Sequence, residues 1–510
     1  MQELSATTIR PGFSATTMRV ALVLASIVLG MALGMALVLP PIQALLVCAT
    51  LCGVLGLGLW LSVRLPVVPI LRNALIAGFF FKSEFDLVKL DRMHSPSGFN
   101  VSLMLLAAVL LIVNHFFSAQ SVKAKRVLPM AFWLTMGALF FWCVLSVAYG
   151  TSGLSGLASL WSLTGSLLIC FVVATQFDNR EALRQTALCI AAAVAANSLL
   201  GIAQNWFDAL NSLTLLGGAL EEDLLKVGDG EIARVSGLMR NPTALARSLV
   251  TWSPVFLALL PWSFSAFRRW QHTLFFVSAV LLLPALILTY ARGGWAAFGL
   301  AMLLMLTFTW RALEPKARQR LLPKLSLAAF VLLFLCLPFA QPMYVRLTED
   351  DRGSAYARVS TVEVATTMIK DHPLLGLGLN SYYEQARRYD RTPDLISEEL
   401  FAVHNFYFHI AAETGVPGVL LFVALHLLAA WQGWRAMQGP DLLLRALALG
   451  LLCGQAAFLF TGLKEPGTLG SWLMQDTFLL FGLLLAVASA NQSQNTGQST
   501  NQRENYARTR

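Results

Sequence analysis

The sequence is poor in charged residues. Of its 510 residues, 13% are charged and 56% are hydrophobic, whereas a soluble protein carries about a quarter charged residues. The mean hydropathy is +0.64. This composition excludes an ordinary soluble domain and indicates an integral membrane protein. We attribute the formal net charge of +9 to membrane topology, because basic residues in the short loops between spans set the orientation of the spans. We expect no nucleic-acid partner.

The long polar segments lack cysteine. All seven cysteines lie in apolar stretches, and no two form a Cys-x-x-Cys pair, so no disulfide framework is expected to hold the loops. The seven histidines do not recur at metal-ligand spacings. We therefore expect neither a metal nor another cofactor. The chain also lacks a repeat of fixed period, which argues against a repeat architecture.

Long apolar runs, by contrast, recur along the chain. Because a helix crosses a bilayer core with about 20 apolar residues, the sequence predicts an all-α polytopic membrane protein with about 12–14 transmembrane helices. The third span is the weakest, since Pro66, Pro69 and Arg72 interrupt it. The predicted spans lie near 20–39, 42–63, 66–81, 99–117, 127–148, 157–176, 185–203, 245–264, 272–290, 293–310, 325–343, 416–434, 443–461 and 472–490.

Basic residues are distributed unequally between the short loops. With the N-terminus inside, fifteen lie in inner loops and five in outer loops, which fits the excess of Lys and Arg on the cytoplasmic side. The inner set is Arg64, Lys123, Lys125, Arg126, Arg180, Arg184, Arg268, Arg269, Arg311, Lys316, Arg318, Arg320, Lys324, Arg435 and Arg445; the outer set is Lys82, Lys89, Arg92, Arg292 and Lys464.

This orientation divides the chain into seven segments and puts both long polar loops in the periplasm. Within the second loop, residues 355–369 have helical spacing that ends before His372-Pro373. The segments are a cytoplasmic N-terminus (1–19), N-terminal spans (20–204), a first periplasmic loop (205–244), central spans (245–343), a large periplasmic loop (344–415), C-terminal spans (416–490) and a disordered cytoplasmic tail (491–510) rich in Gln, Asn, Ser and Arg.

The segment 234–246 ends the first long loop and leads into a span. Asn241 can cap the helix that follows, with Pro242 at its first position. A helix N-terminus offers free N–H groups to an anion, and Arg234 and Arg240 would add positive charge. The alternative is a capped helix with solvated arginines, and this segment taken alone favours that alternative.

The turn Tyr290–Trp295 puts Arg292 between two apolar runs at the outer membrane face. A guanidinium there is costly to desolvate unless it is paired, and a guanidinium binds phosphate in a bidentate way. An interfacial arginine that reaches into water beside an interfacial tryptophan is an equally good interpretation. The Gly-x-Gly at 376–378 follows no predicted strand, which excludes a dinucleotide fingerprint; we expect a loop packed on the bilayer surface.

His404 and Asn405 stand just before the chain re-enters the membrane, and residues 405–413 fit a helix that ends near Gly415. A neutral histidine is a competent base near pH 7. A lone histidine is more often structural, but His404 differs from the others because a polar loop carries it to the membrane face. Glu413 could orient or pair with an arginine, although a simple surface role is the better interpretation.

Together these elements resemble the O-antigen ligase and polymerase superfamily of bacterial surface polysaccharide assembly. The resemblance runs from about residue 187 to 425. This sequence differs from the family pattern at Arg240, where the family more often has a small residue, and at Phe408, where a leucine-like residue is usual. Its carriers are the RxxG…NP…LA pattern (Arg234, Gly237, Asn241, Pro242, Leu245, Ala246), the ARGGW turn, the DHPLLGLGLNSY stretch (371–382) and the HNxxxxxxAExGxPG run (404–418).

The resemblance implies a metal-independent, inverting glycosyltransferase in the bacterial inner membrane, with its active site facing the periplasm. Its donor would be a glycan on undecaprenyl pyrophosphate. Its acceptor would be a glycan or lipid A–core, and other polysaccharide assembly proteins could be partners. The implied catalytic residues are His404, Arg292 and Arg234; the implied substrate-binding residues are Arg240, Asn241, Asn405, Asn380 and Glu413.

Several alternatives stay open. Ligases, polymerases and protein-glycosylating relatives share a donor and differ in acceptor; the short polar tail disfavours the last, and the extra N-terminal spans lean slightly towards a polymerase or exopolysaccharide assembly. A lipid-linked glycan flippase or transporter is a different class, which would carry polar or broken helices near mid-membrane in two matching halves. Few charges lie inside the predicted spans, which disfavours it. A scaffold would leave the His and Arg residues unexplained.

Overall fold

Helices dominate the computed structural model. It describes residues 67–81, 84–88, 99–117, 129–177, 179–207, 224–227, 230–239, 241–262, 267–316, 318–319, 337, 340–348, 354–392, 403–471 and 473–508. The described helices are α1 (Val67–Phe81), α2 (Leu103–Phe117), α3 (Met130–Tyr149), α4 (Gly153–Gln176), α5 (Arg180–Gln204), α6 (Pro242–Leu257), α7 (Arg269–Leu288), α8 (Arg292–Ala312), α9 (Ala340–Thr348), α10 (Ser354–Asp371), α11 (Tyr382–Tyr389), α12 (Phe406–Met437), α13 (Leu442–Thr461) and α14 (Leu473–Arg508).

Eight of the described helices are long and apolar enough to cross a membrane: α3, α4, α5, α7, α8, α12, α13 and the first part of α14. Helices α1 and α2 are shorter apolar helices. The predicted all-α polytopic class is therefore confirmed. The predicted spans at 20–39 and 42–63, and most of the one at 325–343, lie outside the described residues, as does the cytoplasmic N-terminus predicted at 1–19.

Two short antiparallel hairpins interrupt the helical pattern. Strand β1 (Glu84–Val88) pairs with β2 (Phe99–Ser102), and β3 (Leu224–Val227) pairs with β4 (Gly230–Ala233). The span predicted at 99–117 is wrong at its start, because residues 99–102 form a strand of the first hairpin. Its aromatic and β-branched residues favour a strand. The helix starts only where Ser102 Oγ accepts a hydrogen bond from the N–H of Leu105 at 3.2 Å.

Two further boundaries differ from prediction. The span predicted at 245–264 is helical only to Leu257 and continues as a 3₁₀ turn at Leu260–Trp262. Pro261 in that turn disfavours α-helical backbone in the residue before it. The tail at 491–510 was predicted to be disordered, and this is wrong up to Arg508, where α14 ends. Extending an existing helix costs little compared with nucleating one, and the tail contains no proline.

Helix α13 packs closely on α6, and glycines on α13 make that approach possible. A Cβ on Gly450 would lie 2.5 Å from the carbonyl oxygen of Pro254, and one on Gly454 would overlap the carbonyl of Thr251. Small residues four apart let two helix backbones touch in a membrane. The contact fixes the N-terminal end of α6 beside the loop that follows α13.

Helix α12 is broken at Gly415, whose φ of 74° and ψ of 176° are not helical. The turn after α10 fills the break: Leu377 and Gly378 donate their N–H groups to the carbonyls of Ala412 and Glu413, each at 3.0 Å. From the other side, Trp142 and Ser146 of α3 donate to the carbonyls of Thr414 and Glu413 at 2.9 and 2.8 Å. These donors satisfy the carbonyls that the break leaves without a partner inside the helix, as buried backbone groups require.

The same turn explains the Gly-x-Gly motif. A Cβ on Gly376 would overlap the backbone of Glu413, and Gly376 and Gly378 have φ values of 66° and 107°, in the left-handed region that favours glycine. The motif serves backbone-to-backbone packing on α12. The expectation that it packs on the bilayer surface is therefore wrong, because its buried residues contact protein.

Candidate functional site

The N-terminus of α6 forms as the sequence predicted. Asn241 has extended backbone, and its Oδ1 accepts hydrogen bonds from the N–H of Ala244 at 2.7 Å and from the hydroxyl of Thr243 at 3.0 Å, with Pro242 at the first helical position. The capping prediction is confirmed. Arg240, a predicted substrate-binding residue, lies outside the described residues.

Arg234 lies in the segment that enters α6. Its Nε donates to the carbonyl of Thr289, at the end of α7, at 2.9 Å. The turn after Arg234 is anchored by Gln204, whose amide accepts from Gly237 N–H at 2.8 Å and donates to the carbonyl of Gly237 at 3.1 Å. Because Gly237 has a φ of 56°, this turn favours glycine. Arg234 is thereby held over the connection between α7 and α8.

Arg292 is the first residue of α8. One of its terminal guanidinium nitrogens donates to the carbonyl of Arg346 at 3.3 Å, and Arg346 in turn donates from Nε to the carbonyl of Tyr290 at 3.4 Å. The two arginines thus tie α9 to the start of α8. Arg292 is partly buried, and its position at the outer membrane face stays a prediction.

His404 is partly buried and precedes the N-cap of α12. The cap is Asn405, whose Oδ1 accepts from the N–H groups of Tyr407 and Phe408 at 3.0 and 3.2 Å. The amide of Asn405 also donates to the carbonyl of Leu463 at 3.4 Å, and Phe406 N–H donates to the carbonyl of Gly462 at 2.8 Å. Asn405 therefore fixes the backbone beside His404 to the loop after α13.

That loop, described over residues 462–471, brings the separate elements together. The side chain of Lys464 lies against Gly293 of α8, 3.6 Å from the position of a Cβ there. The next residue, Glu465, interacts with the charges of Arg247, Arg234 and Arg358, and Thr243 hydrogen-bonds to it. The N-termini of α6, α8 and α12 consequently meet at one loop, and an N-terminus carries partial positive charge.

Glu465 and Arg247 are site residues that the sequence analysis missed. Burial raises the pKa of Glu465 above its ordinary value, against the opposing effect of the three arginines and the Thr243 hydrogen bond. Arg247 is 3% exposed, and its guanidinium lies 5.7 Å from the centre of the Phe406 ring. The sequence did contain a signal for Arg247: it is a charged residue about one and a half turns inside a predicted membrane span.

A second missed charge lies deeper in the same place. Asp476 of α14 is 1% exposed, and one of its carboxylate oxygens accepts from the indole N–H of Trp252 at 2.8 Å. Its charge also interacts with Arg247. The expectation of few charges inside the spans therefore overlooked this Arg and Asp, which the fold keeps in the interior of the bundle.

Glu413 is placed differently from the surface role expected for it. It is 1% exposed, and its carboxylate contacts His409 at 3.3 Å, the N–H of Tyr382 at 3.5 Å and the hydroxyl of Thr468. A buried carboxylate needs such partners. The surface interpretation is wrong, because the turn after α10 and the loop after α13 cover this residue. Glu413 joins the turn after α10 to the loop after α13.

Asn380, the remaining predicted substrate-binding residue, is 2% exposed and has a φ of 61°. It ends the turn that fills the break in α12 and precedes α11. Asparagine tolerates this left-handed backbone better than other residues with a side chain. Its position is thus accounted for by the turn, and a contact with substrate stays a prediction.

The fold and the site define a multi-pass membrane protein in which the N-termini of α6, α8 and α12 meet at one loop, with the partly buried His404 just before α12. Residues 277–423 match the family model described as O-antigen ligase. This match confirms the resemblance to the O-antigen ligase and polymerase superfamily. The matched segment contains Arg292, Asn380, His404, Asn405 and Glu413; Arg234, Arg247 and Glu465 lie outside it.

The other comparisons are weaker. No curated protein matches the sequence. One solved structure with a detectable likeness is described as "Structural coordination of polymerization and crosslinking by a peptidoglycan synthase complex". It is 16% identical, covers 72% of this chain and 98% of that chain, and has a TM-score of 0.37. A likeness at this level does not establish a shared fold.

Proposed function

We propose that this protein is a glycosyltransferase of the O-antigen ligase family. It transfers or polymerises a glycan from an undecaprenyl-pyrophosphate-linked donor at the periplasmic face of the bacterial inner membrane. The observation that carries the proposal is that one loop joins the two groups: the charges of Arg234, Arg247 and Arg358 all act on its Glu465, and its Leu463 carbonyl accepts from Asn405, the residue after His404, at 3.4 Å.

A diphosphate suits this arrangement. It is a compact anion with several oxygen acceptors, and guanidinium groups bind such oxygens in pairs. Helix N-termini add N–H donors and partial positive charge. The arginines would supply the charge that a metal ion supplies in other diphosphate-handling enzymes, so the proposal includes metal independence. The apolar helices around the site would accommodate the polyprenyl chain.

The proposed reaction has one bond-forming and one bond-breaking step. The acceptor hydroxyl oxygen attacks the anomeric carbon, while the bond from that carbon to the diphosphate oxygen breaks and its electron pair leaves with the diphosphate. His404 takes the hydroxyl proton as general base. Arg234 and Arg292 stabilise the charge that develops on the departing diphosphate. Attack opposite the leaving group inverts the anomeric centre.

The first test measures glycan transfer with purified protein in detergent and lipid-linked donor, without any ion gradient. His404→Ala should lower the rate about 10²–10⁴-fold, and Arg292→Ala about 10²–10³-fold. Exposed residues of the same outer region serve as controls: His372→Ala, whose ring nitrogen contacts the Tyr389 hydroxyl at 3.0 Å, and Arg388→Ala on α11. Both should retain normal transfer, and added chelator should change nothing.

Near-normal transfer by both single variants, His404→Ala and Arg292→Ala, would refute the assignment. Transport of donor without transfer would instead establish the flippase alternative. Ligase and polymerase separate in a strain that lacks the gene. Single capped repeat units indicate a lost polymerase, whereas long glycans that accumulate on the carrier lipid indicate a lost ligase.

A further inference from the structure

Arg247 is a buried charge that has no step in the proposed reaction. It is 3% exposed, and its Nε has no hydrogen-bond partner among the described residues. Its guanidinium carbon lies 5.7 Å from the centre of the Phe406 ring, within the distance at which a cation is attracted to the face of a ring. The charges of Asp476 and Glu465 also act on it. Because buried donors are nearly always paired, a guanidinium kept here with an unpaired nitrogen indicates a function for its contact with the ring.

The Phe406 ring is enclosed by α13 and by the loop that follows it. Phe406 is 1% exposed, and a Cβ on Gly462 or Gly467 would lie 2.8 Å or 2.6 Å from its ring atoms. The Phe458 ring of α13 lies 5.6 Å away between ring centres. The backbone N–H of Phe406 donates to the carbonyl of Gly462 at 2.8 Å. A ring packed this closely has little room to move, so its position also fixes the backbone that carries it.

That backbone leads directly to His404. Phe406 is the first residue of α12, and Asn405, which caps the helix, is the one residue between Phe406 and His404. The amide of Asn405 donates to the carbonyl of Leu463 at 3.4 Å, and a hydrogen bond of this length is weak. The position of His404 therefore depends more on the close contacts of Phe406 than on the side chain of Asn405.

Helix α6 gives Arg247 a fixed base. The indole N–H of Trp252 donates to Asp476 of α14 at 2.8 Å, and Gly450 and Gly454 of α13 pack against the carbonyls of α6. The residues just before α12, by contrast, are not helical. A group on a rigid helix is held more precisely than one on a loop. The contact between Arg247 and the Phe406 ring thus joins the fixed helix to the segment that carries the proposed base.

We propose that Arg247 is a positioning residue for glycan transfer: its contact with the Phe406 ring holds His404 at the distance from the N-terminus of α6 that the reaction requires. The inference rests on the proposed function and adds a residue that lies outside the matched family segment. Arg247 acts through Phe406 and does not touch the donor. Its role therefore differs from that of Arg234, which stabilises the departing diphosphate.

A residue that binds the donor would respond differently to substitution. If Arg247 bound the diphosphate, its removal would raise the donor KM and weaken binding of pyrophosphate. A positioning residue instead lowers kcat at unchanged donor KM, because the donor binds normally while the base is misplaced. Arg247→Lys keeps a cation that can lie over the ring, so it should retain more transfer than Arg247→Met, which keeps only the apolar length.

The first experiment measures kcat, donor KM and pyrophosphate binding of purified full-length variants in detergent. Arg247→Met and Phe406→Leu should each lower kcat about 10²-fold, the loss expected when a catalytic group is displaced, with donor KM and pyrophosphate binding unchanged. The double variant should be no slower than the slower single variant, because both changes remove the same contact. The matched control is Arg184→Met, which removes a guanidinium 5.8 Å from the Phe267 ring and should transfer normally.

The second experiment reports on His404 without any transfer. Diethyl pyrocarbonate modifies histidine side chains, and mass spectrometry of peptides gives the rate at each position. His404 should be modified faster in Arg247→Met and Phe406→Leu than in the wild type, because its segment has lost an anchor. The exposed His372 is the internal reference and should keep its rate. Continued protection of His409, which is 2% exposed, shows that each variant is folded.

Three results would overturn the inference and leave the proposed function intact. The first is weaker pyrophosphate binding by Arg247→Met at unchanged kcat, which would make Arg247 a donor ligand. The second is a double variant whose loss equals the product of the single losses. The third is an unchanged rate of His404 modification in both single variants. Absence of transfer by the wild-type protein would overturn both proposals, which distinguishes that result from the other three.

Discussion

The two ends of α13 differ in how their charges are partnered. At its start, two arginines have near partners: Arg180 contacts Asp441 at 2.8 Å, and Arg184 contacts Glu181 at 2.8 Å and Gln271 at 2.9 Å. Past its other end, the charges of three arginines act on one carboxylate, that of Glu465, and the buried Nε of Arg247 has no hydrogen-bond partner among the described residues. We therefore expect the first end to serve the structure and the second to serve a ligand.

Burial explains why the two ends differ in importance. The Arg180 side chain is 46% exposed, and exposed ion pairs contribute little because water and salt screen them. Arg247 is 3% exposed, so its charge acts through a less polar medium and is felt over a longer distance. An unbalanced buried charge is costly for stability, and such costs concentrate at functional sites.

The largest expected effect tests this comparison directly. Arg234→Ala should lower glycan transfer about 10²–10³-fold, because one donor to the developing diphosphate charge is lost. Arg180→Ala, at the other end of the bundle, should leave transfer near the wild-type rate. Rates are measured with purified variants at equal folded concentration. Comparable losses in both variants would show that the two ends do not differ in function.

The break in α12 gives the next effect. Gly415→Ala places a Cβ onto the carbonyl of Leu374 at a φ of 74°, so we expect a loss of about 1–3 kcal/mol in stability and reduced transfer, because the segment that carries His404 is displaced. Gly299→Ala on α8 is the matched control, since nothing lies within 4 Å of its Cβ. Thermal unfolding in detergent compares them. A Gly415→Ala protein as stable as the control would show that the break is not required.

The buried contact between Thr468 and Glu413 gives a smaller effect. Thr468→Val removes a donor to a buried carboxylate, and we expect a loss of about 1–3 kcal/mol with little change in donor KM. Thr135→Val is the control, because the Thr135 hydroxyl is exposed and bonds only within its own helix in the described part of the chain. A large rise in donor KM with unchanged stability would instead place Glu413 in substrate binding.

The smallest effect is expected in the stability of Arg180→Ala. Loss of an exposed ion pair should cost about 0.2–1 kcal/mol, and the cost should shrink further as salt is added. Thermal unfolding at low and high ionic strength measures it. A loss that is large and independent of salt would mean that this end of the bundle depends on its charges more than its exposure indicates.

Local features of the site were accessible from the sequence, and long-range ones were not. The cap at Asn241 and the helix end near Gly415 follow from residue types within one turn. Glu465 gave no such signal, because it lies far from Thr243 along the chain and comes near it only where α13 packs on α6. Glu413 was assigned to the surface for the same reason, since its partners come from distant segments.

The sequence by itself determined that this chain is a bundle of membrane helices, because twenty apolar residues in a row have few other stable states in or near a bilayer. It also determined where several helices begin and end, through caps and glycines that act locally. Only the tertiary structure decided that the N-termini of α6, α8 and α12 meet at one loop, and that the charges of distant arginines act on a carboxylate of that loop. Such meetings depend on close helix packing, which no local pattern encodes.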